Sequence, residues 1–388
     1  MGFAKDSDQR SGPIPLQTEP LWRQYREEFP VTQNLIYLNH AAVSPLPRRS
    51  ATAMQGLAEE ALQYGALHYD QWLDAYEGLR VAAARLIGAN RSEIALTKNT
   101  SEGISTVAMG LDWRPGDRIV AFREEFPSNY YPWLRLEAKR CSVDWLSADD
   151  PLEKIEMACS GARLLAISFV QYLSGFRANL NAIGEICKRR KCFFFVDAIQ
   201  GLGAFPLDVE TAHIDALAAD GHKWLLGPEG CGILYVRKSR QDSIFPEEFG
   251  WTTVAGYNDY ASRDMALRQD AGRYECGTLN TIGCYGLRAS IELLLEAGVE
   301  RVAAAVQSLT DRLAAGAASK GYQILGDRTP ENGAGIVAIQ KPGFDSRKLV
   351  HDLKQKGVIA APRQGWIRLS PHFYISPEDI DRVIEALP

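Results

Sequence analysis

Several features that mark membrane and secreted proteins are missing from this chain of 388 residues. No apolar run approaches the roughly 20 residues that a helix needs to cross a bilayer. The first 20 residues are polar and contain no signal-peptide apolar region, and Asp6 stands where a myristoylation signal has serine or threonine. We expect residues 1–20 to form a flexible arm, and we expect no membrane partner.

Basic runs and metal-binding patterns are scarce as well. The net charge is −5 and no long basic run occurs, which argues against nucleic acid as a partner. The histidines are spread singly, and Cys187 and Cys192 have no second pair with which to complete a zinc site. The seven cysteines are odd in number and scattered, so we expect no metal site, no disulfide framework and a reducing, cytoplasmic location.

Glycine fingerprints for nucleotides are absent too. Neither Gly-x-x-x-x-Gly-Lys-Ser nor Gly-x-Gly-x-x-Gly occurs. A nucleoside triphosphate site is therefore not indicated, and an NAD-dependent enzyme is a weak alternative.

The chain does have a regular alternation of short apolar runs with helix-length segments. This pattern predicts an α/β fold with a mostly parallel, seven-stranded sheet and helices on both faces. Ligands of such sheets bind beyond the carboxyl ends of the strands. The predicted buried strands cover residues 94–97, 118–122, 142–146, 164–170, 193–197, 216–219 and 232–236.

The length exceeds the usual limit for a single hydrophobic core, and the pattern changes at about residue 281. We predict a large domain over residues 21–280 and a small α+β domain over residues 281–388. The segment 21–50 is expected to contribute to the small domain and to the rim of the active site. The elements predicted for the small domain are a long helical run at 281–320, strands at 333–340, 357–360 and 366–370, and helices near 346–356 and 377–387.

Two charged residues at the ends of apolar runs suggest a covalent cofactor site. Lys223 follows Asp197 by 26 residues and precedes a glycine-rich loop. Burial removes water from an amine and favours its neutral, nucleophilic form. Such an amine can bind a carbonyl cofactor as a Schiff base, and pyridoxal phosphate also requires a carboxylate against its ring nitrogen. The alternative is a lysine whose charged end reaches the solvent.

The segment after the first predicted strand can bind an anion. Thr100 or Ser101 can cap the helix that begins there, and the free amides of a first helical turn can hold a phosphate. A plain helix cap is the alternative. Thr278, in a glycine-centred loop before a later helix, is another candidate to donate a hydrogen bond to a phosphate.

Three further residues are candidates for contacts with a cofactor or a substrate. Phe126 follows a strand and can stack on a flat ring, unless it packs between domains. Arg368 is a charge within an apolar strand and can pair with a substrate carboxylate, unless a structural salt bridge satisfies it. Asn39 can line a substrate pocket, although an ordinary turn asparagine is the simpler interpretation.

Four motifs resemble those of a known family. They are Asn-Thr-Ser-Glu-Gly (99–103), Val-Asp-Ala-Ile-Gln-Gly (196–201), Asp-Gly-His-Lys-Trp-Leu-Leu-Gly-Pro-Glu-Gly (220–230) and Glu-Cys-Gly-Thr-Leu-Asn (275–280). With them, the chain from Tyr37 to Leu387 resembles the class V aminotransferase group of fold-type I pyridoxal phosphate enzymes. Within that group it is most similar to the cysteine desulfurase-like branch, which also includes isopenicillin N epimerase-like and hercynylcysteine lyase-like proteins.

The resemblance implies a role for each matching residue. Lys223 would form the internal aldimine and carry the Cα proton, Asp197 would keep the pyridine nitrogen protonated, and Gln200 would hydrogen-bond the ring hydroxyl. A homodimer, pyridoxal 5′-phosphate as the cofactor and a small amino-acid substrate are implied as well. The implied phosphate contacts are Thr100, Ser101 and His222 of one subunit and Thr278 of the second subunit.

The sequence departs from the desulfurase pattern at several positions. Residues 361–370 lack the loop that carries a persulfide-forming cysteine, so a persulfide has no obvious acceptor thiol. The stacking residue, often histidine in desulfurases, is Phe126, which cannot act as an acid or a base. Tyr172, a candidate for substrate contact, stands where desulfurases tend to have asparagine. Asp220 replaces a common serine near the phosphate.

We therefore expect an enzyme that binds the carboxylate of an α-amino acid through Arg368 and removes the Cα proton with Lys223. The expected outcome is cleavage of a Cβ–S bond or another Cβ bond, or transamination. Cα epimerisation is an alternative, as is a cysteine desulfurase that uses a non-standard thiol such as Cys276. A protein that keeps the fold only for binding is the non-enzymatic alternative, and the intact Lys223, Asp197 and Gln200 argue against it.

Overall fold

The structure, a computed structural model, describes residues 19–388. Of the arm predicted for residues 1–20, residues 1–18 lie outside the described part. The helices are α1 (Leu21–Gln24), α2 (Arg48–Tyr64), α3 (Tyr69–Ile87), α4 (Thr100–Gly110), α5 (Tyr131–Leu134), α6 (Leu152–Cys159), α7 (Leu180–Arg190), α8 (Thr281–Ala297), α9 (Val299–Ser319), α10 (Ser346–Gln355) and α11 (Pro377–Ala386). The strands are β1 (Ile36–Tyr37), β2 (Ile94–Thr97), β3 (Arg118–Phe122), β4 (Ser142–Leu146), β5 (Leu164–Ser168), β6 (Phe193–Asp197), β7 (Ala216–Asp220), β8 (Gly232–Val236), β9 (Gln323–Ile324), β10 (Val337–Gln340), β11 (Val358–Ile359), β12 (Ala361–Arg363) and β13 (Trp366–Leu369).

Seven strands form one large sheet in the order β2-β8-β7-β6-β5-β3-β4. Neighbouring strands are parallel from β4 to β7, and β8 is antiparallel to both β7 and β2. The prediction of a mostly parallel, seven-stranded α/β sheet is therefore confirmed. Its strands match the predicted runs, except that β5 ends at Ser168 and β7 extends to Asp220.

The centre of this sheet is apolar on both faces. β6 and β8 are buried along their whole length. Successive side chains of a strand point to opposite faces, so the fully buried Phe194 and Phe195 fill separate cores on the two sides of the sheet. Helices cover both cores, which explains why these strands read as continuous apolar runs rather than as alternating patterns.

The direction of the strands places their carboxyl ends together. β2, β3, β5, β6 and β7 all run the same way, because the antiparallel β8 reverses the direction only between β7 and β2. The segments that follow these strands therefore begin at one edge of the sheet. That edge is where polar side chains from distant parts of the sequence can meet.

The C-terminal part forms a four-stranded antiparallel sheet in the order β12-β13-β10-β9. β1, near the start of the chain, pairs in parallel with β11, and Asn39 forms a bridge with Ser370. This pairing supports the proposal that the segment 21–50 joins the C-terminal part of the molecule.

The helices differ from the expectation at residues 281–320. Two helices, α8 and α9, replace the single predicted run because Gly298 between them has a φ of 82°. A positive φ ends a right-handed helix, and glycine adopts it without steric cost. Among the helices of residues 19–388, none is both long enough and apolar enough to cross a membrane.

Candidate active site

A cavity of about 370 Å³ opens at the edge where the carboxyl ends of the parallel strands meet. Residues that follow β2, β3, β5, β6 and β7 line it, together with Arg368 from β13. Nine of the eleven residues predicted from the sequence line this cavity: Thr100, Ser101, Phe126, Tyr172, Asp197, Gln200, His222, Lys223 and Arg368. Asn39 and Thr278 do not.

The side chain of Lys223 reaches the cavity from the turn after β7. Burial lowers the pKa of this amine to about 8, although the carboxylate of Asp197 opposes the change. The nearby positive charge of Arg368 lowers the pKa further. A pKa near 8 leaves part of the amine neutral at neutral pH, which is the form that attacks a carbonyl group.

Asp197 ends β6 and is 3% exposed. Its Oδ1 accepts a hydrogen bond from the backbone N–H of Ile199 at 3.1 Å. Burial raises the pKa of the carboxyl to about 6, while this hydrogen bond and the charge of Lys223 oppose the rise. The group is still ionised at neutral pH, so it can stabilise a protonated ring nitrogen placed against it.

Gln200 is held in one orientation by two hydrogen bonds. Its Nε2 donates to the backbone carbonyl of Ala41 at 3.0 Å, and its Oε1 accepts from Nε1 of Trp224 at 2.9 Å. A primary amide has two N–H donors, so one remains for a ligand in the cavity.

The helix α4 begins at the cavity, but not as predicted. Asn99 is the N-cap, because its backbone is extended and its Oδ1 accepts from the backbone N–H of Glu102 at 2.9 Å. The prediction that Thr100 or Ser101 caps the helix is therefore wrong, and asparagine is one of the best residues for this position. Thr100 instead accepts a hydrogen bond at Oγ1 from the backbone N–H of Asp220 at 2.9 Å. The backbone N–H groups of Thr100 and Ser101, the first two of α4, are left free to bind an anion.

Asp220 and His222 lie beside this helix start. Oδ2 of Asp220 is 3.0 Å from Nδ1 of His222, but the two atoms are not aligned for a hydrogen bond. Within residues 19–388, the buried Nδ1 of His222 and Oδ1 of Asp220 have no hydrogen-bond partner. The Asp220 carboxylate therefore lies next to the His222 imidazole at the wall of the cavity.

Arg368 is 3% exposed and has no acidic partner among the described residues. Its Nη1 donates to the backbone carbonyl of Tyr172 at 2.8 Å, and its Nε has no hydrogen-bond partner. Burial lowers the pKa of the guanidinium to about 10, and the charge of Arg363 acts in the same direction. The alternative of a structural salt bridge is therefore wrong. An unpaired buried cation fits a ligand that brings its own negative charge.

Two aromatic side chains form one wall of the cavity. The rings of Phe126 and Tyr172 pack edge to face with their centroids 5.4 Å apart, and Nζ of Lys223 lies 5.6 Å from the centroid of Phe126. Phe126 itself is 45% exposed. A flat ring can therefore stack on it.

Sequence reasoning missed the hairpin of β12 and β13. Its two-residue turn has positive φ at both Gln364 (49°) and Gly365 (86°), which is the pattern of a tight hairpin turn. The turn brings Arg363 to the cavity and places Nε2 of Gln364 2.7 Å from the hydroxyl of Tyr172. The Gln-Gly pair before the apolar strand was the available signal, but glutamine is rarely found at a positive φ.

Two predicted site residues lie away from the cavity. Asn39 pairs with Ser370 at the end of β1, and its buried Oδ1 has no partner in the described part of the chain. Thr278 is exposed on the surface of the single chain. Contact of Asn39 with a substrate, and of Thr278 with the phosphate of a second subunit, therefore remain predictions.

The residues that line the cavity match the chemical groups of pyridoxal phosphate. The cavity offers a poorly solvated amine at Lys223, a buried carboxylate at Asp197 and an exposed aromatic face at Phe126. The start of α4 and the unpaired Nδ1 of His222 supply a place for a phosphate.

Comparisons with known proteins agree with this chemistry. Residues 36–383 match the family model described as aminotransferase class-V. A probable cysteine desulfurase of Pyrococcus abyssi is 30% identical, over 93% of this chain and 96% of its own. An uncharacterized aminotransferase of Bacillus subtilis is 31% identical, over 95% of this chain and 98% of its own. The apo structure of a cysteine desulfurase from Thermococcus onnurineus is 28% identical, covers 97% of both chains and has a TM-score of 0.87.

The chain belongs to the class-V aminotransferase family and, within it, to the cysteine desulfurase-like branch. It is a pyridoxal-phosphate-dependent enzyme of fold-type I. The predictions of the family, the fold, the enzyme class and the cofactor are confirmed.

Proposed function

We propose that this enzyme acts on an α-amino acid whose carboxylate binds to Arg368. The observation that carries the proposal is the unpaired state of this buried guanidinium, whose Nε has no partner while its Nη1 reaches only a backbone carbonyl. Burying a charge without a counter-charge costs several kcal/mol, so the fold holds this cation at the expense of stability. A carboxylate with two oxygens matches the planar donors of a guanidinium.

Lys223 is proposed to hold the cofactor and then to move the Cα proton. Pyridoxal phosphate, when bound, supplies an aldehyde to which an amino group attaches and a ring that withdraws electrons from the Cα carbon. The amine of Lys223, with its pKa lowered to about 8, can accept a proton from Cα and return it. Asp197 is proposed to face the ring nitrogen, Gln200 the ring hydroxyl and Phe126 the ring plane.

The phosphate is proposed to bind at the start of α4. Thr100, Ser101 and His222 surround this helix end and line the cavity. The hydroxyl of Ser101 lies 2.7 Å from that of Ser128, which also lines the cavity. The two hydroxyls can reorient toward an anion without moving the backbone.

The outcome proposed for the substrate is loss of a Cβ substituent, with Cβ–S cleavage foremost, or transamination. The turn of the β12–β13 hairpin has only two residues, Gln364 and Gly365, and neither is a cysteine. Among the described residues, no cysteine lines the cavity. This supports elimination or transfer over a persulfide cycle. A cysteine desulfurase with a non-standard thiol and an amino-acid epimerase are kept as alternatives, because the same lysine serves them.

Space beside the site supports a substrate larger than cysteine. A second cavity of about 940 Å³ adjoins the first, and Tyr172 lines both. Gln364, which contacts the hydroxyl of Tyr172, also lines this larger cavity. A Cβ substituent that passes Tyr172 would enter it, so S-substituted cysteines belong in any substrate panel.

The experiment is product analysis by mass spectrometry with cysteine, alanine, cysteine sulfinate and bulkier S-conjugates. Pyruvate and ammonia would support elimination, and a new amino acid formed from an added keto acid would support transamination. Alanine together with a protein-bound persulfide would overturn the inference drawn from the hairpin. A change of Cα configuration without other products would support the epimerase alternative.

We also propose a homodimer in which Thr278 reaches the phosphate of the second subunit. The loop of Thr278 lies beside the segment 245–265, because Thr252 of that segment donates a hydrogen bond to the backbone carbonyl of Glu275 in the loop. Several apolar side chains of the segment are exposed. These exposed side chains are Phe245, Phe249, Trp251, Tyr260 and Met265. Contact with a second copy would cover them. Sedimentation of the wild type tests the dimer, and cofactor titration of Thr278→Ala tests the contact with the phosphate. A monomeric wild type, or an unchanged cofactor affinity in Thr278→Ala, would contradict a site shared between subunits.

A further inference from the structure

Three cysteines meet at the edge of the large sheet that lies opposite to the active site. The Sγ atoms of Cys159, Cys187 and Cys192 all lie within 4.8 Å of one another. Cys159 ends α6, Cys187 lies in the last turn of α7, and Cys192 directly precedes β6. Because Asp197 ends β6, the thiols and the cofactor cavity lie at the two ends of the same strand. Sequence spacing linked only Cys187 and Cys192, so the expectation of no metal site did not consider the third thiol.

The three thiols are enclosed by the protein. Their residues are 0%, 1% and 2% exposed. Within residues 19–388, no histidine nitrogen and no carboxylate oxygen joins the group as a fourth ligand. The site therefore offers three sulfur donors in an apolar setting from which water is excluded.

The helix ends around the three thiols favour a bound cation. α6 and α7 both end at the cluster, and the carbonyl end of a helix carries a partial negative charge. Charged side chains of both signs surround the cluster: Arg118 donates to the backbone carbonyl of Ser160 just after Cys159, and Arg189 pairs with Glu156 of α6.

We propose that Cys159, Cys187 and Cys192 form a three-thiolate site for a soft monovalent cation, with Cu(I) as the cation that suits the donor set. Thiolates select Cu(I), zinc and iron–sulfur clusters. Structural zinc takes four ligands in almost every case, and iron–sulfur clusters take four cysteines. Three sulfurs in a dry pocket therefore fit Cu(I) better than either. Binding releases the thiol protons to the solvent and joins α6, α7 and the start of β6 through one ion.

The test is a Cu(I) titration of the purified, reduced holoenzyme against a chromophoric Cu(I) chelator. All proteins carry Cys276→Ala, because Cys276 is the one cysteine of the seven that is not buried. We expect one Cu(I) per chain, with Cys159→Ala or Cys192→Ala weakening the affinity at least about 100-fold, since even changes outside the ligand set weaken metal sites about 10- to 100-fold. A wild-type affinity equal to that of either variant would overturn the proposal.

The chain contains a matched control. Cys231 and Cys284 form a second buried pair, with their sulfurs 3.8 Å apart, but they offer only two thiols. Cys231→Ala should leave the Cu(I) affinity unchanged, and a loss equal to that of Cys192→Ala would contradict the assignment. X-ray absorption at the copper edge provides a second test on the Cu(I)-loaded chain that carries only Cys276→Ala. This test does not depend on whether a variant of the three-cysteine cluster folds. Three sulfur neighbours support the site, whereas two sulfur neighbours, or zinc bound in preference to Cu(I), would overturn it.

Discussion

The guanidinium of Arg368 donates to the backbone carbonyl of Tyr172 at 2.8 Å and faces no carboxylate within residues 19–388. The two residues come from the C-terminal sheet and from the segment after β5, so the cavity lies where these parts of the molecule meet. One carbonyl oxygen uses one of five guanidinium donors. The remaining donors define where a substrate carboxylate can bind.

Replacement of Arg368 by methionine separates function from stability. We expect kcat/KM to fall at least about 100-fold, because each hydrogen bond to a charged group contributes about 1.5–3 kcal/mol. The free energy of unfolding of the cofactor-free protein should stay the same or rise by about 1 kcal/mol, because an unpaired buried charge is removed. Steady-state kinetics and urea unfolding measure the two effects. Arg363→Met, at an exposed arginine that lines the same cavity, is the control and should lose less.

A loss of several kcal/mol of stability in Arg368→Met, with KM unchanged, would show that the arginine has a structural role. The proposal of carboxylate binding would then fail.

Removal of the Phe126 ring should weaken cofactor binding. We expect the dissociation constant of pyridoxal phosphate to rise about 10-fold in Phe126→Ala, because an aromatic contact contributes about 0.5–1.5 kcal/mol beyond its buried area. Phe126→Tyr should keep most of the affinity. Phe344→Ala removes a comparably exposed phenyl group that lies outside the cavity and outside the proposed dimer contact, and it should leave the cofactor affinity unchanged. Equal affinities in the wild type and Phe126→Ala would exclude stacking.

Thr100→Val tests the link between α4 and β7. The variant keeps the shape of threonine but removes the acceptor for the backbone N–H of Asp220, which is buried. An unsatisfied buried donor costs about 1–3 kcal/mol, so the free energy of unfolding should fall by that amount, and cofactor affinity should fall with it. Thr100→Ser should restore both. Calorimetry and cofactor titration provide the readouts, and a variant as stable as the wild type would disprove the role of this hydrogen bond.

Stability should depend on pH through Glu125, a residue that sequence reasoning did not select. Its Oε1 accepts from the backbone N–H of Ser168 at 2.6 Å, and burial raises the pKa of its carboxyl to about 8, with the charge of Asp197 adding to the rise. The folded state therefore holds this proton more tightly than the unfolded state does. Stability is lost as the pH rises from about 4.5 to about 8.

The matched variant is Glu125→Gln. Between pH 5 and pH 8, the cofactor-free wild type should lose roughly 2 kcal/mol relative to the variant, because the Glu125 residue keeps some contact with solvent that screens its charge. Glu137→Gln, at an exposed glutamate, should follow the wild type at both pH values. Parallel pH profiles for the wild type and Glu125→Gln would contradict the assignment.

Much of the site could be predicted because it is built from short segments that follow strands. Asp197 ends an apolar run, Lys223 and Phe126 follow such runs within a few residues, and parallel strands bring these positions to one edge. The cap of α4 was predicted one or two residues too late, because threonine and serine are good caps and the stronger candidate, Asn99, stands immediately before them.

The remaining features depend on contacts between distant parts of the chain. Arg363 reaches the cavity only because of a two-residue turn with glutamine at a positive φ, and periodicity does not report such a turn. Cys159 joins Cys187 and Cys192 only through the packing of α6 against α7. Asn39 follows β1, whose pairing partner β11 lies more than 300 residues further along the chain.

The most direct test of the central claim is reduction of the holoenzyme with borohydride, followed by proteolysis and mass spectrometry. The claim is that the amine of Lys223 holds the cofactor. It predicts a pyridoxyl phosphate mass on the peptide that contains Lys223, and loss of that mass in Lys223→Ala. The same mass on another lysine, or none on a protein that retains the bound cofactor, would contradict it.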